Sequence, residues 1–155
     1  INSYAERKRV VLIIDEAQNL SPGALEALRM LSNINADKDQ LLQIILVGQP
    51  QLRELLRRPE LQQFLQRVAV DYFIPPLEAF EVDKYIQHRL HIAGRDIPLF
   101  TPAATKLIAQ AARGIPRSIN ILCDMAMVYG YSTNVDKIDV NLVREVIKDR
   151  ADFGI

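Results

Sequence analysis

Apolar positions fall in short solid blocks along the first half of the chain and in helical stripes along the second. Residues 10–14, Val-Val-Leu-Ile-Ile, form an unbroken apolar run rich in β-branched side chains, and it stops at two adjacent carboxylates, Asp15 and Glu16. A run this short and this apolar predicts a strand buried on both faces, the kind found inside parallel sheets. Ser21-Pro22 predicts a helix start, with Ser21 as N-cap and Pro22 at the first helical position. Ala24, Leu25, Ala27, Leu28 and Leu31 give that helix its apolar face. Residues 34–40 have loop composition. A second apolar strand is predicted over 41–47, before Gly48-Gln49-Pro50. From Gln51 to Gln66 the spacing is helical, with a break near Pro59. A third strand-like run covers Val68 to Ile74.

Pro75-Pro76 is the clearest boundary. Upstream, strand and helix patterns alternate; downstream no convincing strand appears. A helix starting at Phe80 or Glu81 places Val82, Tyr85, Ile86 and Leu90 on one face. Thr101-Pro102 repeats the Ser21-Pro22 logic, and Ala104, Leu107, Ile108 and Ala111 are expected inside. Gly114 suits a left-handed helix end. Pro116 opens another helix, striped by Leu122, Met125, Ala126 and Tyr129. Asp139 caps a last one, with Val143, Val146 and Ile147 inward. The expected organisation is an α/β part over 1–75 followed by an all-α bundle over 76–155.

Composition narrows the picture in three ways. The 19 Lys+Arg balance the 19 Asp+Glu, so no global field favours nucleic acid or an anionic membrane, although a local patch stays open. The lone Cys123 cannot form an intramolecular disulfide, which fits a reducing compartment, and its apolar helical setting reads as a buried structural thiol. His88 and His91 make half a metal site at most and read as surface residues. No apolar run approaches the roughly 20 residues of a membrane span, and no signal peptide is visible. The chain begins with Ile1 and reaches its first strand almost at once, as an excised piece of a longer protein would.

Candidate chemistry gathers at the ends of the apolar runs. Open α/β sheets place ligands at the carboxyl ends of their strands, where Asp15 and Glu16 are expected. Pleating would point the two to opposite sides. Asp15 suits a water-shelled Mg²⁺, which takes one or two carboxylates. Glu16 suits orienting or deprotonating an attacking water. Together they read as the Walker B element of a P-loop nucleotidase. The alternative is a pair of acids that cap the next helix. Gln49 at the second strand tip suits a γ-phosphate or a water, or else a plain turn. Arg53, Arg57 and Arg58 read as a solvated face, whereas Arg67 has a defined place just before the third run. Arg117 lies in the first turn of a helix, where backbone N–H groups already favour an anion; pairing with a surface acid is the alternative.

The order of these features resembles the AAA+ ATPases, and within them the secretion-type group named for ExeA/GspA, which includes ATPases accompanying exopolysaccharide and exosortase systems. The residues that carry it are Val11-Leu-Ile-Ile-Asp-Glu-Ala-Gln-Asn-Leu20, Leu46-Val-Gly-Gln-Pro50, Gln66-Arg67-Val68 and Gly114-Ile-Pro-Arg-Ser-Ile-Asn-Ile-Leu-Cys-Asp124. The resemblance implies a partial P-loop parallel sheet with helices, then an all-α lid. It implies ATP and Mg²⁺ as cofactors, with Asp15 serving the metal through water and Glu16 the hydrolytic water. Gln49 would be sensor 1, Arg67 an arginine finger reaching a neighbouring subunit's nucleotide, and Arg117 sensor 2.

The phosphate loop, G-x-x-x-x-G-K-S/T, occurs nowhere in the 155 residues. In the family it lies upstream of Walker B, so it is expected before Ile1. Its strand would separate those matching 41–47 and 68–74, so the third run is expected to lack a neighbour on one side. Residues 1–155 alone are therefore expected to bind ATP weakly or not at all and to hydrolyse none. Expected partners are further copies in a ring or oligomer, and envelope or secretion-system proteins. The expected location is the bacterial cytoplasm, with attachment of the parent to the inner membrane left open. The main alternative is a DNA-associated AAA+ ATPase of the transposition-helper or origin-binding kind. A helicase box is a weaker one, because the later helicase motifs are absent. A non-catalytic scaffold is the third.

Overall fold

A computed structural model describes residues 10–32, 35–36, 39–40 and 42–152. The predicted approach segment 1–9 and part of the predicted loop 34–40 lie outside them. The chain divides into two compact units, Ile1–Tyr72 and Phe73–Ile155.

In the first unit β1 (Val10–Ile14) is followed by α1 (Pro22–Leu31), a two-residue ladder of β2 (Asn35–Ala36) and β3 (Asp39–Gln40), then β4 (Leu42–Leu46), α2 (Gln51–Leu56) and α3 (Gln62–Leu65). β1 and β4 pair in parallel, from Val10↔Leu42 to Ile14↔Leu46. Parallel strands need a crossover rather than a tight hairpin, and α1 lies within it. Ser21 begins that helix as expected, its Oγ accepting from Ala24 N at 3.1 Å. The break near Pro59 is a single 3-10 turn, Pro59–Leu61. The unit's core is small: Leu25, Leu55 and Leu61 are buried, with Leu20, Leu28, Leu46, Leu56 and Phe64 packed around them.

Three expectations need correction here. β1 is not buried on both faces: Ile13 is 63% exposed, and Val10, Val11 and Leu12 are also exposed. Burial of a parallel strand requires further strands and helices on its faces, and among the described residues β4 is the sole partner of β1. Nor does the run Val68–Ile74 become a strand. It joins no β-ladder among the described residues, and Val70 and Ile74 are 81% and 79% exposed. A strand exists only through its ladder, so an apolar, β-branched run without a ladder partner does not become one. Third, the predicted loop contains the short β2–β3 ladder, Asn35↔Gln40 and Ala36↔Asp39.

The second unit is a helical bundle of α4 (Ala79–Ile92), α5 (Pro102–Ala112), α6 (Pro116–Ser132) and α7 (Val140–Asp152). Each start has a local cause. Glu78 and Glu81 form a reciprocal capping box at α4. Thr101 caps α5 ahead of Pro102, and Asp139 Oδ1 accepts from Asn141 N and Leu142 N at 3.0 Å each. The core joins Val82, Ile86, Phe100, Ile108, Ile119, Leu122, Val143 and Val146. Burying one such aliphatic side chain is worth about 1.5–3 kcal/mol. On α5 the inward alanine is Ala112, not Ala111: the helix turns about 100° per residue, and the stripe through Ala104 and Ile108 continues at i+4.

Gly114 ends the α5–α6 connection with φ +70°, and a Cβ there would sit 2.1 Å from the Leu77 carbonyl oxygen. The same two residues are bonded, Leu77 N to Gly114 O at 3.0 Å. The turn that presents Arg117 is thus fastened to the chain entering the bundle, and only glycine permits the approach.

Candidate functional site

The carboxylates stand where β1 ends. The chain leaves the strand at Ile14, and Glu16 takes a left-handed backbone (φ 52°, ψ 35°), so pleat alternation does not set their directions, contrary to expectation. Asp15 turns back on the bend, its Oδ1 accepting from Glu16 N at 2.8 Å. Left-handed backbone costs an ordinary residue about 1–2 kcal/mol. The turn is held by Ala17 N donating to Val47 O at 2.9 Å and Val47 N to Ile14 O at 2.8 Å. These bonds tie the end of β1 to the end of β4.

Gln49 leaves the neighbouring strand tip, and its Nε2 lies 3.5 Å from Glu16 Oε2. Between them stands Gln18, which the sequence reading missed. Its Nε2 donates to Glu16 Oε2 at 2.5 Å, and its Oε1 accepts from Gln49 N at 3.1 Å. A backbone N–H only donates and an ionised carboxylate only accepts, so both ends of the Gln18 amide are assigned by chemistry. Gly48 makes room: a Cβ there would meet Gln18 Oε1 at 2.7 Å. A second amide two residues past Glu16, facing a glycine at the other tip, was the available signal. Seeing it required knowing that β1 and β4 are adjacent.

Arg67 occupies the turn after α3, exposed, with its N donating to Phe64 O at 3.0 Å. Its charge is felt at Glu26 on α1. The Arg29 guanidinium, bonded to Glu26 at 2.6–2.9 Å, holds that carboxyl below its ordinary range, with a smaller pull from Arg67. Arg117 belongs to the second unit. It is exposed in the first turn of α6, whose N-cap position, Ile115, offers no side-chain cap. The first unit therefore brings together Asp15, Glu16 and Gln49, and places Arg67 on the turn after α3.

The donor set fits part of a nucleotide site. Asp15 and Glu16 are both exposed at the strand tip, as a hydrated Mg²⁺ and a water require. Among the described residues no group of three or more His, Cys, Asp or Glu could hold a metal tightly, and His91 instead pairs with Asp96 at 2.5 Å. A phosphate cradle is not present in the sequence.

A family model described as an AAA domain matches residues 1–56. Among solved structures, a RuvB variant from Thermotoga maritima superposes with a TM-score of 0.70 at 18% identity, over 95% of this chain and 48% of that one. The Aeropyrum pernix ORC2 protein in its ADP form gives 0.69 at 18% identity, over 95% and 41%. At such identities the likeness is one of fold. The chain has the fold of the P-loop AAA+ ATPases. Within that class its similarity is to the secretion type. It is 41% identical, over 155 residues and 98% of its length, to the General secretion pathway protein A of Aeromonas hydrophila. It spans 28% of that relative's length.

Proposed function

We propose that this chain carries the hydrolytic strand tips and the lid of a secretion-type AAA+ ATPase, which turns over ATP to drive assembly or export of cell-envelope components. The observation that carries the reading is the meeting of Glu16 and Gln49 at the carboxyl ends of two parallel strands. Asp15 would hold Mg²⁺ through its water shell, and the ion would supply charge neutralisation to the transferring phosphates. Glu16 orients the attacking water and accepts its proton. Gln49 contacts the γ-phosphate side of that water. Arg67 acts as an arginine finger toward a neighbouring subunit, and Arg117 reports the γ-phosphate to the lid. Guanidinium groups suit this task because phosphoryl transfer is accelerated chiefly by fixed positive charge.

The proposed assembly is a ring or other oligomer of such domains, with secretion-system proteins as clients. The proposed location is the bacterial cytoplasm, on the parent or at the inner membrane through it. No helix of the described residues is long and apolar enough to cross a membrane.

The test is a chimera in which this chain replaces the matching segment of the Aeromonas hydrophila relative. Mg²⁺-dependent ATP turnover is expected, and Glu16→Gln should lower kcat by about 10²–10⁴-fold, the usual worth of a general base. A functional chimera indifferent to Glu16→Gln overturns the assignment. The DNA-associated alternative has fold likeness alone behind it. Salt-sensitive, ATP-dependent retention on duplex DNA would move the reading there.

A further inference from the structure

We propose that Gln18 is the positioning residue for Glu16: it clamps one carboxylate oxygen and couples it to the tip of β4. The proposal rests on the reading of Glu16 as the water-activating group. Three observations support it. Gln18 uses both ends of its amide at once, donating to Glu16 Oε2 at 2.5 Å and accepting from Gln49 N at 3.1 Å. The space for this crossing exists because position 48 lacks a Cβ, which would stand 2.7 Å from Gln18 Oε1. And Glu16, on a left-handed backbone, has no regular strand or helix to hold it in place.

The consequence is directional. Gln18 and Gln49 both approach Oε2, at 2.5 and 3.5 Å. Oε1 is the carboxylate oxygen left to face a water, and fixing the other oxygen sets its lone pairs. Gln18 also bonds the Gln49 backbone, so a displacement of the β4 tip drags the carboxylate with it. Gln18 acts through Glu16 and touches no reacting atom.

Two measurements test this. In the isolated chain, Gln18→Ala should speed hydrogen exchange of the Gln49 amide by about tenfold or more, because that N–H loses its acceptor. It should also shift the Glu16 carboxyl carbon resonance, while β1–β4 ladder amides stay as protected as before. In the chimera, Gln18→Ala should lower kcat about tenfold with the KM for ATP unchanged. That is a fraction of what the general base itself supplies. Gln18→Glu, equal in size, should do worse than alanine, since it cannot donate and repels Glu16. Unchanged Gln49 exchange and an unmoved Glu16 resonance in Gln18→Ala overturn the clamp. So does a loss confined to KM, or a Gln18→Glu as active as the parent. A chimera with no turnover in the parent form counts against the ATPase reading and leaves the exchange experiment to decide the clamp.

Discussion

Cys123 and Arg117 share a helix and show how position sets chemistry at the scale of single residues. Burial, and secondarily the Asp124 charge, push the Cys123 thiol from its ordinary 9.0 up to about 12. At pH 8 its thiolate fraction falls about a thousandfold below that of a free cysteine. Alkylation should therefore be undetectable in the folded chain and fast in denaturant. The linkage has a definite sign. The folded state holds the proton more tightly, so this contribution is intact below pH 9 and is lost as pH rises toward 12. Urea midpoints should fall more steeply over that window in the parent than in Cys123→Ala. Arg117, by contrast, is exposed. Arg117→Ala should leave bundle stability within about 0.5 kcal/mol, as surface changes do, while weakening ATP affinity in the chimera. Equal losses in both would recast Arg117 as structural.

At the scale of elements, connections matter more than the helices they join. Gly114→Ala would force a Cβ to within 2.1 Å of the Leu77 carbonyl on a φ of +70°. Left-handed strain alone is worth about 1–2 kcal/mol, so the bundle should lose at least about 2 kcal/mol in urea denaturation. A loss below about 0.5 kcal/mol would mean that the Leu77 contact yields freely. Thr101→Ala removes a cap whose Oγ1 accepts from Ala104 N at 3.3 Å. The cost should be about 1 kcal/mol. The strand pair behaves differently. Val10 to Ile13 of β1 are exposed, and Leu46 of β4 packs on a cluster of three buried residues among those described. It should exchange amide hydrogens faster than the α5–α7 core.

For the whole molecule the two units differ in how far each completes itself. The helical unit has a continuous core from Val82 to Val146. The first leaves Val70 and Tyr72 exposed, and among the described residues its β1–β4 pair has no further strand. Limited proteolysis should cut between Val68 and Pro76 and release a stable helical fragment; a protected segment there would mean that something in solution covers it. The chain by itself should show no ATP turnover, for want of a phosphate cradle in its sequence. Turnover by residues 1–155 would remove the need for one.

Local chemistry made much of this legible in advance. Helix starts at Ser21, Thr101 and Asp139 are written in short-range hydrogen bonds, and helical stripes in spacing, so both could be read residue by residue. The carboxylate pair after an apolar run and Gln49 after the next were visible for the same reason. What only tertiary structure decided depends on neighbours far away in the chain. An apolar run becomes a buried strand only if something pairs with it and covers it, which β1 achieves in part and Val68–Ile74 does not. Gln18 gains a role because Gly48 and Gln49 arrive opposite it from a separate strand. Sequence encodes which groups are available, and the strand register brings them within reach of one another.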